Sequence, residues 1–230
     1  MKKSNYKIIS VGGSIIIPKI GFDIPFLKKF RSLILSEIKK GQKFILVIGG
    51  GATCRYYQNA AKQIQKLSPA DLDWLGIHST IFNANFVRSI FNDVAHTEVI
   101  SNPTKKVKTN KSLIIASGWK PGCSTDKDAV LLAKTYGAKE VINLSNIEYV
   151  YDKDPNKFSD AKKIEQITWA SFRKDVVGST WDPGKSAPFD PIASKEAQKL
   201  KLTVKILKGT DLVEVKKVLS GGKFRGTTIV

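Results

Sequence analysis

The stretch VIGGGATCR, residues 47 to 55, sets three glycines, and then an arginine four residues past the last of them, directly behind a run of apolar β-formers. The run itself, KFILVI (43–48), is almost continuously apolar, as a strand covered on both faces must be. Three residues without side chains then leave the backbone bare. The fold turns on what comes close to that backbone.

The pattern recurs. YKIISV (6–11) runs into Gly12 and Gly13, and SLIIAS (112–117) runs into GWKPG. EVINLS (140–145) and TVKIL (203–207) are further short β-branched runs. Between these lie segments whose apolar residues recur at spacings of three and four: 26–38, 52–66, 73–95, 125–136, 189–200 and 211–219. Strands alternating with helices predict an α/β fold with crossover connections and a mainly parallel sheet. No linker, repeat or low-complexity segment divides the chain, so one domain over 1–230 is expected. YDKDPNKFSDAKKI (151–164) reads as a turn-rich excursion of hairpin type. The proline-rich STWDPGKSAPFDP (179–191) reads as a long functional loop.

Composition narrows the function. Apolar residues make 42% and charged residues 25% of the 230, as in ordinary globular chains. The longest apolar run, FILVI, is far short of the ~20 residues of a membrane helix. The basic, then apolar, start mimics a signal peptide, but Gly12 and Gly13 split it and no cleavage site follows. Cys54 and Cys123 have no metal-ligand spacing around them, which predicts a reducing, cytoplasmic setting without disulfide or zinc. His78 and His96 share no motif and read as packing or surface residues. The net charge of +18 suits anionic partners. The lysines are spread over helix faces, however, and even the densest loop cluster, TKKVKTNK (104–111), lacks an aromatic-plus-basic signature. A solvated surface is therefore the expectation, without nucleic acid.

Open α/β sheets bind ligands where the carboxyl ends of their strands meet. Glycines there let amides approach an anion, and the next helix adds the positive end of its dipole. Neither G-x-G-x-x-G nor a G-K-[ST] loop is present. Arg55 stands one turn into the helix after the glycines, where it can fork onto a phosphate or simply face water. In GCSTDKDAVLLA, Thr125 or Asp126 can cap a helix. Asp126 can equally hold Mg²⁺ or orient cations around a transferring phosphoryl group.

Taken together, VGGSI, VIGGGATCRYY, DWLGIHSTIFNAN, GWKPGCSTDKDAVLLA, INLSNIEYVYDKDP, FDPIASKEA and the terminal GTTIV resemble the amino-acid kinase family, and within it the archaeal uridylate (UMP) kinase type. The resemblance spans nearly the whole chain. It implies a three-layer α-β-α sandwich that moves the γ-phosphoryl of ATP onto UMP with Mg²⁺, as a homo-oligomer, usually a hexamer. By that resemblance Gly50, Asp73 and the loop Trp119, Lys120, Pro121, Gly122, Cys123, Ser124 and Thr125 bind UMP. Gly13, Ser14, Gly51, Ser145, Asn146, Tyr151 and Asp154 face ATP, Arg55 lies between the two phosphate groups, and Asp126 organises the catalytic centre.

Four departures stand out. Ser10 occupies the place of a lysine frequent in the family, Ile81 that of an arginine, and Glu148 and Tyr149 those of aspartate and glycine. Lys7 lies three positions from Ser10, on the opposite face of the strand, and cannot substitute for that lysine. Lys185 or Lys153, both on loops, remain as candidates to replace the lost charge. Two other readings stay open: a kinase of the same fold acting on a carboxylate or isopentenyl phosphate, or a non-catalytic nucleotide-binding regulator. The histidine that isopentenyl phosphate kinases carry after the glycine triplet is missing here.

Overall fold

The structure, a computed structural model, describes residues 6–19, 21–122, 124–155, 157–178 and 187–230. Cys123 and Lys185 lie outside the described residues. Each of the five expected strands forms: β1 (Tyr6–Val11), β2 (Lys43–Ile48), β3 (Leu113–Ala116), β4 (Glu140–Ser145) and, later in the chain, β8 (Thr203–Lys208). Each expected helix forms as well: α2 (Ile24–Lys39), α3 (Gly51–Ile64), α4 (Pro69–Ile90), α5 (Thr125–Tyr136), α7 (Pro191–Lys199) and α8 (Leu212–Leu219). A one-turn helix, α1 (Gly13–Ile16), follows β1 directly.

The seven-stranded sheet runs β3-β2-β1-β4-β8-β9-β7. Its first five strands are parallel. The last two strands, β9 (Thr227–Ile229) and the edge strand β7 (Gln166–Ile167), run the other way, β9 pairing antiparallel with β8. The excursion after β4 closes as a two-stranded hairpin, β5 (Val150–Tyr151) with β6 (Lys163–Ile164). After β7, the short α6 (Trp169–Ser171) continues as a π-helical turn over Phe172–Val177.

Side-chain alternation along the strands builds the layers. Ile9, Val11, Phe44, Leu46, Ile48, Leu113, Ile115, Ile142 and Leu144 join one buried cluster with α2, α4 and α8. The intervening residues Ile8, Ile45, Val47, Ile114, Ala116 and Val141 join a second with α5 and α7. A sheet with a helical layer on each face is the expected three-layer sandwich. Lys7 follows the same rule, its ammonium donating to the carbonyl of Leu219 at the end of α8 (2.6 Å). Ser10 faces α5 instead. Lys7 is thus on the wrong face to replace the missing lysine.

Local signals set the helix starts. Asp23, Asp190 and Asp211 accept first-turn amides of α2, α7 and α8. Helix α4 begins four residues earlier than the apolar period suggests, because Ser68 and Asp71 form a capping box with Pro69 in the first turn. At α5 the cap is Ser124, whose hydroxyl accepts from the Lys127 amide (3.2 Å), rather than Thr125 or Asp126. Asp126 is thereby left for other work.

Candidate active site

The strand order reverses at β1: β2 and β3 extend to one side of it, β4 and β8 to the other. Loops leaving the carboxyl ends of β1 and β4 therefore part and open a crevice. The glycines stand there, but their closest neighbour is not a ligand. A Cβ on Gly13 would lie 2.0 Å from the Gly51 nitrogen, and one on Gly51, whose φ is +59°, 2.4 Å from the Gly13 carbonyl oxygen. A Cβ on Gly49 would lie 2.6 Å from the Gly13 nitrogen. The two glycine loops cross backbone against backbone. Asn83 of α4 fixes the crossing by donating to the carbonyls of Gly49 (3.0 Å) and Gly50 (2.9 Å).

What comes close to the bare backbone of VIGGGATCR is the backbone of Gly13. Gly13 is buried against Gly49–Gly51, so its first function is to let the loops meet. Gly13→Ala is expected to destabilise the protein by about 3 kcal/mol, the upper part of the range for overpacking. A urea-unfolding midpoint equal to that of the unsubstituted chain would show that the loops do not touch.

Helix α3 begins on this crossing. Its cap, Gly50, offers no side chain to the first-turn amides, and its first turn carries no acid, so the positive end of the helix is uncompensated. Arg55 is exposed on the same helix and forms no ion pair among the described residues. An unpaired guanidinium beside an uncapped helix start is suited to phosphate.

Asp126 sits at the start of α5, facing the ends of β1 and β4. Ser10 and Asn143 are register partners on those strands, and both reach it. The Ser10 hydroxyl (3.0 Å) and the Asn143 amide (2.8 Å) donate to its Oδ1, and the Asp190 main-chain amide to its Oδ2 (3.3 Å). Burial, together with the nearby charge of Asp190, pushes its pKa up to about 6, against the pull of those three hydrogen bonds. No lysine or arginine pairs with it among the described residues.

The loop after β3 leads towards α5. The Gly122 amide donates to Asp73 Oδ2 (2.7 Å), and the Gly118 amide to the Thr80 hydroxyl (2.8 Å), so α4 holds the loop at two points. Lys120 extends over the Trp119 ring, 4.3 Å from its centroid. Ser124 and Thr125 continue from this loop into α5, alongside Pro121. A cavity of about 460 Å³ is lined by Ser145, Asn146, Tyr151 and Asp154, with Tyr149 and Lys153 in its wall. Ser14 belongs to α1.

The departures find partners. Glu148 pairs with Arg225 (3.5 Å), and the Lys163 ammonium lies 4.8 Å from the centroid of the Tyr149 ring. Lys153 is held by Asp160 (2.6 Å), which occupies the charge once considered free for a nucleotide. Ile81 lies on α4, where its carbonyl accepts from the Asn85 side-chain amide (2.9 Å). His78 stacks obliquely near Trp74, away from the site, and His96 is also remote from it. Three positioning residues escaped the sequence reading: Thr80, Asn83 and Asp190. With Asp73, the first two recur at near-helical spacing on one face of α4, and that spacing was the available signal.

The sequence profile of the amino acid kinase family matches residues 5–208. The chain belongs to the amino acid kinase family. Among amino acid kinase relatives, the uridylate kinase of Methanospirillum hungatei is 30% identical over 225 residues, covering 96% of this chain and 93% of its own. That of Thermococcus kodakarensis is 31% identical over 224 residues, with 96% and 98% covered. The crystal structure of uridylate kinase from Archaeoglobus fulgidus superposes with a TM-score of 0.81 at 25% identity, covering 97% of this chain and all of that one. The parallel sheet and its flanking helices are thus those of this family.

Proposed function

We propose that this chain is a UMP kinase, a single amino acid kinase domain that transfers the γ-phosphoryl of ATP to UMP. The observation that carries this reading is the Asp126 carboxylate at the start of α5, held by Ser10 of β1 and Asn143 of β4. The full-length relatedness to uridylate kinases supports the acceptor. ATP as donor, a cytoplasmic location and assembly into a homo-oligomer, a hexamer by family resemblance, belong to the same proposal.

In this reading ATP enters the cavity lined by Ser145, Asn146, Tyr151 and Asp154, and UMP the loop from Trp119 to Thr125. Two polyanions must then meet end to end. Their repulsion is offset by the uncapped start of α3 and by Arg55, placed to touch both phosphate groups. The reaction needs positioning more than covalent chemistry, and no base–nucleophile pair is required of the protein. Asp126 keeps its orientation through Ser10 and Asn143 and holds cationic charge against the transferring group.

The site also suits Mg²⁺. Asp190 Oδ2 is buried without a hydrogen-bond partner, and with Asp126 it offers the hard oxygen donors this ion prefers. When bound, Mg²⁺ would neutralise charge on the phosphoryl oxygens.

The assay is a panel of nucleoside monophosphates, a carboxylate and isopentenyl phosphate, each with Mg·ATP. UMP is expected to give the highest kcat/KM. Faster turnover of the carboxylate or isopentenyl phosphate would overturn the assignment.

A further inference from the structure

Asp190 has one carboxylate oxygen that its capping role leaves over. It caps α7 through one oxygen only: Oδ1 accepts the amides of Ile192 (2.5 Å) and Ala193 (2.9 Å). The side chain is 97% buried, being 3% exposed, and its Oδ2 has no hydrogen-bond partner. Its own amide donates to Asp126 Oδ2, which sets the two acidic residues side by side. An ionised oxygen buried without a partner is more costly than a neutral one, and a second carboxylate beside it raises the cost further.

The chain is rich in cations, with 38 lysines and arginines against 20 acids, yet among the described residues none pairs with Asp126 or Asp190. A small hydroxyl, Ser10, fills the strand position facing Asp126. It donates one hydrogen bond and brings no charge. One buried carboxylate, one half-buried carboxylate and an uncharged neighbour form an acidic cradle with a free oxygen. Divalent ions of the Mg²⁺ class take one or two protein carboxylates and complete their shell with water and phosphate.

We propose that Asp126 and Asp190 form a divalent-cation site that loads before the nucleotides, and that Ser10 keeps this site open by leaving out an ammonium group. The inference rests on the phosphotransferase reading for its purpose but not for its test. Asp190 supplies Oδ2 as a ligand while Oδ1 stays on the helix amides. Asp126 contributes the oxygen that meets the Asp190 amide. Ser10 and Asn143 hold the other Asp126 oxygen and so fix the angle of the carboxylate.

The test uses the full chain with MnCl₂ alone, free of nucleotide, and reads bound Mn²⁺ by electron paramagnetic resonance. One bound ion per chain is expected. Asp190→Asn retains the cap, since asparagine caps as well as aspartate, and should weaken Mn²⁺ binding by at least about tenfold, or ~1.4 kcal/mol. Ser10→Lys, which supplies the missing ammonium, should weaken it as much. Absence of bound Mn²⁺, or equal affinity in Asp190→Asn, would overturn the proposal. So would Mn²⁺ binding that appears only in Lys185→Ala, since a lysine would then hold the place assigned to the ion. UDP formation in the acceptor panel is a separate readout, so failure of this site and failure of the UMP kinase reading can be told apart.

Discussion

Asp126→Asn is expected to lower kcat by about a hundredfold, the loss typical of removing one electrostatic contact to the transition state. The fold should survive. Ser124, not Asp126, caps α5, and asparagine still offers an oxygen to the Ser10 hydroxyl and the Asn143 amide. Only the long contact with the Asp190 amide is lost. The pH dependence of stability gives a second readout. Folding raises the Asp126 pKa to about 6, so the folded protein holds this proton more tightly than the unfolded chain does. That contribution to stability is full below about pH 4 and is lost as the pH rises through 6. In metal-free buffer at pH 8, Asp126→Asn should therefore melt no lower than the unsubstituted protein. Turnover like that of the unsubstituted chain would reduce Asp126 to a structural residue.

Arg55→Ala should lower kcat/KM by more than about tenfold, over ~1.4 kcal/mol of transition-state stabilisation. The argument is one of position. Arg31 is engaged with Asp93, Arg173 with Gln198, and Arg225 with Asp211 and Glu148, while Arg88 lies in the last turn of α4. Arg55 alone stands at an uncapped helix start beside the crossing of the glycine loops. Its exposure means that truncation costs little stability, so a kinetic loss can be read directly. Lysine at this position should restore the charge but not the fork that can engage two phosphates. Kinetics unchanged in Arg55→Ala would make it a surface residue.

The sequence carried the fold wherever a periodic signal was strong. Five β-branched runs and six helical periods were legible because a buried sheet needs continuous apolar strands and each helix a single apolar stripe. The short strands β7 and β9 were not, since two or three residues give no period. At the site, Asp126 and Arg55 could be read from their place after a strand. The meaning of the glycines was only half legible. Their need for a close neighbour showed in the sequence, but that the neighbour of Gly51 is Gly13 depends on β1 and β2 being adjacent. Asp190 was hidden for a similar reason. In FDPIASKEA it looks like an ordinary helix cap, and only the packing of α7 beside α5 sets it against Asp126.

The central claim is that a phosphoryl group passes between two nucleotides across the Asp126 crevice. The most direct measurement follows the label from γ-labelled Mg·ATP incubated with UMP and the pure protein. The account predicts that label enters UDP at the rate at which ADP appears. Label released as inorganic phosphate, or retained in ATP while UMP is unchanged, would contradict it.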